Sequence, residues 1–143
     1  MTNRQILNLI AKYESNGFYN RIYGKGHQVK NLVEMSIDDV LNWQRKQKFS
    51  ASGRYQIIRK TLLGLKKELK LTGKEMFNED MQDRMALRLL DRRGFQKFLD
   101  GKISINAMMV NLSKEWASFP VPKRMRGRHR MVNKGETYYA NGS

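Results

Sequence analysis

The sequence predicts a predominantly α-helical α+β fold, with helices around one core and a small irregular or β lobe after the first helix. Three observations carry this. Apolar residues recur at helical spacing in five stretches, most of them opened by a capping residue and closed by Gly or Pro. Residues 17 to 33 break that pattern, with Gly17, Gly24 and Gly26 and with Tyr19 and Tyr23 among polar neighbours. The chain has 143 residues and 40% hydrophobic content, enough for one real core. A single domain over 1–143 is expected, with 123–143 as a basic C-terminal segment.

Thr2-x-x-Gln5 reads as a capping box, in which each side chain satisfies the other residue's backbone N–H. It opens a helix bearing Ile6, Leu9, Ile10 and Tyr13 on one face. Gly17 closes that helix, so Glu14 falls in its last turn or just beyond. The lobe from Phe18 to Val33 admits one short hairpin. Ser36 caps the second helix, with Asp38 and Asp39 in the first turn and Met35 placed to staple onto Val40; the helix should run to about Gln47. A third helix is predicted from Ile57 to about Leu69, ended at Thr72-Gly73. Asn78 caps a fourth, with Met81, Met85, Leu89 and Leu90 inward, stopped near Gly94. Phe95, Phe98 and Leu99 suggest a short turn. Ser104 caps the last helix, which carries Ile105, Met108, Met109, Leu112 and Trp116 and ends at Pro120 and Pro122. From Lys123 to Arg130 the chain is Lys-Arg-Met-Arg-Gly-Arg-His-Arg, and no helical stripe follows.

Composition narrows the function. No cysteine means no disulfide or thiol chemistry, and with two histidines no His-built zinc site is expected. No cofactor or metal is implied. No apolar run is long enough to span a membrane, and the N-terminus lacks the regions of a signal peptide. The charge is the loudest feature: 28 Lys and Arg against 13 Asp and Glu, a net +15. Such a field draws polyanions, either nucleic acid or an anionic bacterial envelope. No helix-turn-helix, zinc-finger or RNP pattern supports the nucleic-acid reading, so no specific nucleic acid is expected.

Chemistry concentrates around Ser50-Ala51-Ser52-Gly53-Arg54-Tyr55-Gln56-Ile57-Ile58. Two small polar residues and a glycine precede an apolar stripe, the mark of a loop feeding a helix N-terminus with outward backbone N–H groups. Arg54, Tyr55 and Gln56 add a charge, a flat amphipathic ring and an amide, a set suited to a sugar bearing hydroxyl and N-acetyl groups. An ordinary helix cap with Tyr55 packed inside is the equal alternative from spacing alone.

Ala51-Ser52-Gly53-Arg54-Tyr55-Gln56 resembles the Ala-x-Gly-x-x-Gln element of lytic transglycosylases with a lysozyme-like fold, and Gly53-Arg54-Tyr55-Gln56-Ile57 is similar to the bacteriophage lambda endolysin group. Tyr13-Glu14-Ser15-Asn16-Gly17 upstream and Trp116-Ala117-Ser118-Phe119-Pro120 downstream fall in the order that group shows. The resemblance covers roughly residues 4 to 140. It implies a lysozyme-like fold whose small lobe flanks a catalytic cleft, acting on peptidoglycan glycan strands.

Glycosidic cleavage needs a proton donor at the leaving oxygen, usually a carboxyl whose pKa is raised by a partly apolar setting. Glu14 taken alone reads as an exposed helix-end glutamate; the resemblance implies that it is the single catalytic acid/base. It also implies substrate contacts at Ser15, Ser52, Tyr55, Gln56 and Ser118. Tyr55 would be a wall and Gln56 an amide donor, and Trp116 to Ser118 would close the cleft. Arg54 reads equally as a peptide-carboxylate contact or an ion pair holding the loop, and Trp116 slightly better as core. Tyr23 is a candidate stacking surface on spacing alone.

A second carboxylate would mark an ordinary glycosidase. After Glu14 the next acids are Glu34, Asp38 and Asp39; the helix N-terminus explains the last two, and none lies in the lobe. That pattern suits lytic transglycosylation at the link between N-acetylmuramic acid and N-acetylglucosamine, yielding a 1,6-anhydro product. The alternatives are a hydrolytic muramidase on the same bond, a basic nucleic-acid-binding module, and a catalytically dead wall-binding relative. The expected setting is phage lysis or virion entry. The protein would be a monomer made in the host cytoplasm and delivered to the periplasm through a membrane pore or by the virion, with the basic segment on the anionic envelope.

Overall fold

The computed structural model describes residues 1–23 and 29–141. Gly24, Gly26 and His27, part of the expected lobe, lie outside the described residues. The architecture is predominantly helical α+β. In chain order come α1 (Asn3–Glu14), a 3₁₀ turn (Leu32–Glu34), α2 (Ile37–Arg45), α3 (Arg59–Glu68), α4 (Glu79–Arg92), α5 (Phe95–Leu99), α6 (Ile105–Glu115), β1 (Met125–Arg126) and β2 (Met131–Val132). Among the described residues no helix is long and apolar enough to cross a membrane.

The helix starts follow from local side-chain chemistry. At α1, Gln5 N donates to Thr2 Oγ1 (3.1 Å) and Thr2 N to Gln5 Oε1 (2.8 Å), the reciprocal pair of a capping box. Ser36 accepts from Asp39 N, Asn78 from Met81 N and Ser104 from Ala107 N, each at 3.0–3.1 Å, so α2, α4 and α6 begin where their caps require. The third helix is different. It starts at Arg59, two residues later than the apolar pattern predicts, with Arg59 N donating to Ser50 Oγ. Ile57 is instead paired with Ser52 in an antiparallel bridge.

The chain divides into two compact units. One holds Met1–Glu14 and Leu87–Ser143; the other holds Ser15–Ala86. The helix α4 contributes its second half to the first unit and its first half to the second.

In the first unit, α1 buries Ile6, Leu7, Ile10 and Ala11, and α5 packs against α6. Leu112, Trp116 and Phe119 are buried around the end of α6. The basic run, where the sequence shows no helical stripe, forms a hairpin. Met125 pairs with Val132 and Arg126 with Met131 in a two-stranded antiparallel hairpin. Val132 is buried, which places Met125 and Val132 on the inner face and Arg126 and Met131 on the outer.

In the second unit, α2 packs against α3 and buries Ile37, Val40 and Leu41. Among its described residues, the lobe expected between Phe18 and Val33 holds isolated antiparallel bridges. Arg21 pairs with Val29 and Ile22 with Ser52. The organising stretch is thereby stitched into the lobe, with Ser52 bridging to both Ile22 and Ile57.

Candidate active site

Glu14 is the last residue of α1. The chain then turns sharply, with Asn16 at φ 56° and Gly17 at φ 89°, a left-handed conformation that Gly adopts without steric cost. Tyr13 meets Phe119 edge to face, ring centroids 5.3 Å apart. The half-buried Glu14 accepts a hydrogen bond from the backbone N–H of Ser118, 2.9 Å to Oε1. Burial pushes its pKa up from 4.5 to about 7, and hydrogen bonds from the Ser118 backbone and side chain only partly counter it. The result is a carboxyl group that holds a proton near neutral pH and has a donor ready for its ionised form.

Ser118 is available for this because of the turn it occupies. Trp116 caps α6 through its N–H to Leu112 O, and Phe119 N closes the turn onto Trp116 O. The Ser118 N–H is left over for the acid. Ser118, expected to contact substrate, thus bonds to Glu14. Trp116, read slightly better as core than as a cleft-closing residue, is only 3% exposed and belongs to the core of its unit.

Within the second unit the structure gathers Ser15, Ser52, Arg54, Tyr55 and Gln56 into one connected set. Ser52 N donates to Ile57 O (3.1 Å), Ile57 N to Ser52 O (2.9 Å) and Gln56 N to Gly53 O (3.2 Å). Gly53 N donates to Arg21 O (2.7 Å) and Arg54 N to Gln82 Oε1 (2.9 Å). Five amides of this stretch, those of Ser52, Gly53, Arg54, Gln56 and Ile57, therefore have protein partners in a bridged turn rather than facing outward.

The side chains of the turn are also committed. Tyr55 is 0% exposed; its hydroxyl donates to Asp83 Oδ1 (2.5 Å) and accepts from Arg54 Nη1 (2.8 Å). Burial first, then the bond to Asp83, pushes the phenol pKa well up, so the hydroxyl stays a donor. The ring cannot serve as the wall assigned to it from sequence. Ser52 is equally buried, donating to Ser50 O (2.7 Å) and accepting from Gln44 Nε2 (3.1 Å). Ser15, also buried, donates from Oγ to Arg54 O (2.7 Å) and accepts from Gly17 N (3.2 Å). Arg54 donates from Nε to Gly17 O (3.2 Å), and its guanidinium lies 5.2 Å from the Tyr19 ring centroid. Arg54 thus holds the loop through hydrogen bonds to Gly17 O and the Tyr55 hydroxyl and through the ring of Tyr19.

Gln56 was expected as an amide donor. Its Nε2 donates to Arg21 O (3.2 Å) and Gly53 O (2.9 Å), so both protons are engaged. Its carbonyl oxygen is the group it can offer, and it therefore accepts rather than donates. Tyr23 is 52% exposed and packs 4.5 Å from Phe49, itself 53% exposed, centroid to centroid. Phe49 was not anticipated; a lone aromatic just before the Ser50 turn carries no sequence pattern. Gln82 was missed too. Its signal was a polar residue at the inward position of the 78, 82, 85, 89 spacing.

A protein-family model described as Endolysin matches residues 7–143 of the chain. The chain belongs to the endolysin family. No curated protein and no solved structure matches it. Membership makes this endolysin a phage enzyme that opens the bacterial cell wall by cleaving peptidoglycan. Glu14 and the Gly53–Gln56 turn both lie inside the matched residues.

Proposed function

We propose that this endolysin is a lytic transglycosylase, a monomer with one catalytic domain, that cuts the β-1,4 bond between N-acetylmuramic acid and N-acetylglucosamine with Glu14 as the single general acid/base. The observation that carries the reading is the Glu14 carboxyl, raised to about 7 by burial and hydrogen-bonded to Ser118 N. A group of that pKa can give a proton at neutral pH and accept one moments later.

The Glu14 proton passes to the glycosidic oxygen as the C1–O bond breaks, releasing the N-acetylglucosamine end. The neighbouring N-acetyl oxygen bonds to the electron-poor muramic acid C1. The Glu14 carboxylate then takes the proton of the same sugar's 6-hydroxyl, O6 bonds to C1, and the acetamido oxygen leaves. Such an intramolecular attack outruns water when aligned, with effective concentrations on the order of 10⁵–10⁸ M. Two of the acids that follow Glu14 in the chain have local partners, which supports this reading. Glu34 accepts from Asn31 Nδ2 (2.7 Å) and Asp38 pairs with Lys66 Nζ (2.8 Å). Gln56, as an acceptor, suits the N–H of an acetamido group or a sugar hydroxyl, and the Tyr23–Phe49 pair suits the apolar face of a pyranose.

The basic hairpin brings the enzyme to the anionic envelope in this reading. Lys123, Arg126 and Arg128 are exposed on it, while Arg130 pairs with Glu136 (2.6 Å). The site of action is the periplasmic wall, reached through a membrane pore or from the virion. The decisive experiment is mass spectrometry of fragments released from purified peptidoglycan. Fragments ending in 1,6-anhydro-muramic acid, one water lighter than hydrolytic ones, are expected. Reducing ends would instead make the protein a hydrolytic muramidase.

A further inference from the structure

Gln82 and Asp83, consecutive on α4, each grip the same two pieces of the second unit. Gln82 Oε1 accepts from Arg54 N (2.9 Å), while its Nε2 donates to Tyr19 O (3.2 Å) and Phe77 O (3.0 Å). Asp83 Oδ1 accepts from the Tyr55 hydroxyl (2.5 Å) and the Tyr19 hydroxyl (2.9 Å). Gln82 is fully buried, so each bond it makes replaces one to water that it has lost. The turn is shaped around it: a Cβ built on Gly53 would lie 2.3 Å from Gln82 Oε1. Arg54 carries the grip onward. Its carbonyl oxygen accepts from Ser15 Oγ (2.7 Å), and its Nε donates to Gly17 O (3.2 Å). Ser15 follows Glu14 directly in the sequence. The peptide next to the acid thus hangs on Arg54, and Arg54 is held by Gln82 directly and by Asp83 through the Tyr55 hydroxyl.

We propose that Gln82 and Asp83 are positioning residues that act through Arg54 to fix the Gly53–Gln56 turn and the Ser15–Gly17 segment after the acid. The inference rests on the cleavage reading above. Neither residue reaches substrate through this network, since its links all run to protein groups. Loss of the grip is expected to loosen both segments while leaving Glu14 chemically intact. A misplacement of that kind lowers turnover more than it weakens binding.

The test measures kcat and KM on purified glycan strands for Gln82→Met, Asp83→Ala and Asp83→Asn, well below each variant's Tm, together with NMR amide exchange at Arg54. Gln82→Met should raise Arg54 exchange at least tenfold, because the acceptor is gone. Gln82→Met and Asp83→Ala should each lower kcat at least tenfold with KM changed less than threefold. Asp83→Asn keeps Oδ1 for both phenols and should recover kcat to within about threefold of the wild type. If Gln82→Met does not fold, the double variant Tyr19→Phe/Tyr55→Phe removes both donors to Asp83 at nearly constant volume and carries the same expectation. Folded variants with kcat within twofold of the wild type, beside an inactive Glu14→Gln, would overturn the positioning role alone. An active Glu14→Gln would overturn the cleavage reading instead.

Discussion

The backbone N–H of Ser118 donates to the carboxylate of Glu14, 2.9 Å away in space and 104 residues away in sequence. The backbone donor favours the ionised acid and lowers its pKa, but it carries no full charge, so the upward push of burial still prevails. Glu14 is thereby steadied in the ionised state yet still protonated near neutrality.

Glu14→Gln should leave the fold intact and reduce wall clearing by at least 10²-fold, the low end of what general acid catalysis contributes. It should also stabilise the protein at pH 8. Native Glu14 keeps its proton to about 7, whereas the unfolded chain releases it near 4.5. Across that window the unfolded state binds fewer protons, so the contribution of this group to stability falls as pH rises and stays low above it. Partial exposure screens the effect to on the order of 1–3 kcal/mol. Thermal melts of the two proteins at pH 4 and pH 8 check this; a variant no more stable at pH 8 than the parent contradicts it.

Activity should fall on the alkaline side as the acid ionises, with an apparent pKa near the Glu14 value of about 7. Ser118→Ala removes the side-chain hydrogen bond that lowers that value and keeps the backbone one. The alkaline limb of its kcat/KM profile should move upward. A limb that stays still or moves down would mean that the hydroxyl does not contact the carboxylate.

Replacing Lys123, Arg124, Arg126 and Arg128 with Gln should weaken attachment to anionic envelope and flatten its dependence on salt, since exposed charges act over about 8–10 Å at physiological ionic strength. Arg130 is left in place because it anchors Glu136. Turnover of a small soluble glycan should change less than twofold. Its collapse would place the hairpin in the active site, and tight salt-dependent duplex DNA binding without wall activity would favour a nucleic-acid function.

Gly53→Ala should destabilise the protein by about 2–4 kcal/mol, combining the cost of a positive φ for a residue with a Cβ and the displacement of a buried hydrogen-bonded amide. The relevant geometry is φ 85° at Gly53, with Gln82 Oε1 2.3 Å from the added atom. Urea denaturation measures it, and a loss under 1 kcal/mol would be incompatible with so close an approach of the Gln82 amide to Gly53.

Helix starts were legible in the sequence because a cap and the N–H it satisfies lie within three residues, as at Thr2, Ser36, Asn78 and Ser104. The third helix was misplaced for the opposite reason. Ile57 continues the apolar stripe, yet its backbone is taken by Ser52, and a bridge leaves no periodic trace. The hairpin at Met125–Val132 was hidden because each strand has two residues, too few to show alternation under a run of cations. Glu14 stood out as a motif residue, whereas Gln82 did not. Its partners Arg54 and Tyr19 are 28 and 63 residues away, and local patterns record nothing at that range.

The near-contact between Gly53 and the Gln82 amide also constrains how this chain can diverge. The space a methyl group would need at position 53 is occupied by the oxygen that holds Arg54 N. A descendant acquiring a side chain at 53 must shorten the residue at 82, and it then leaves a buried amide without an acceptor. One acquiring a bulky apolar residue at 82 strands the same amide even if Gly53 persists. Either first step is a valley, so the two positions should be inherited as a pair. Substitution at one among diverging relatives should come with a change at the other, or with a new acceptor for residue 54 from elsewhere.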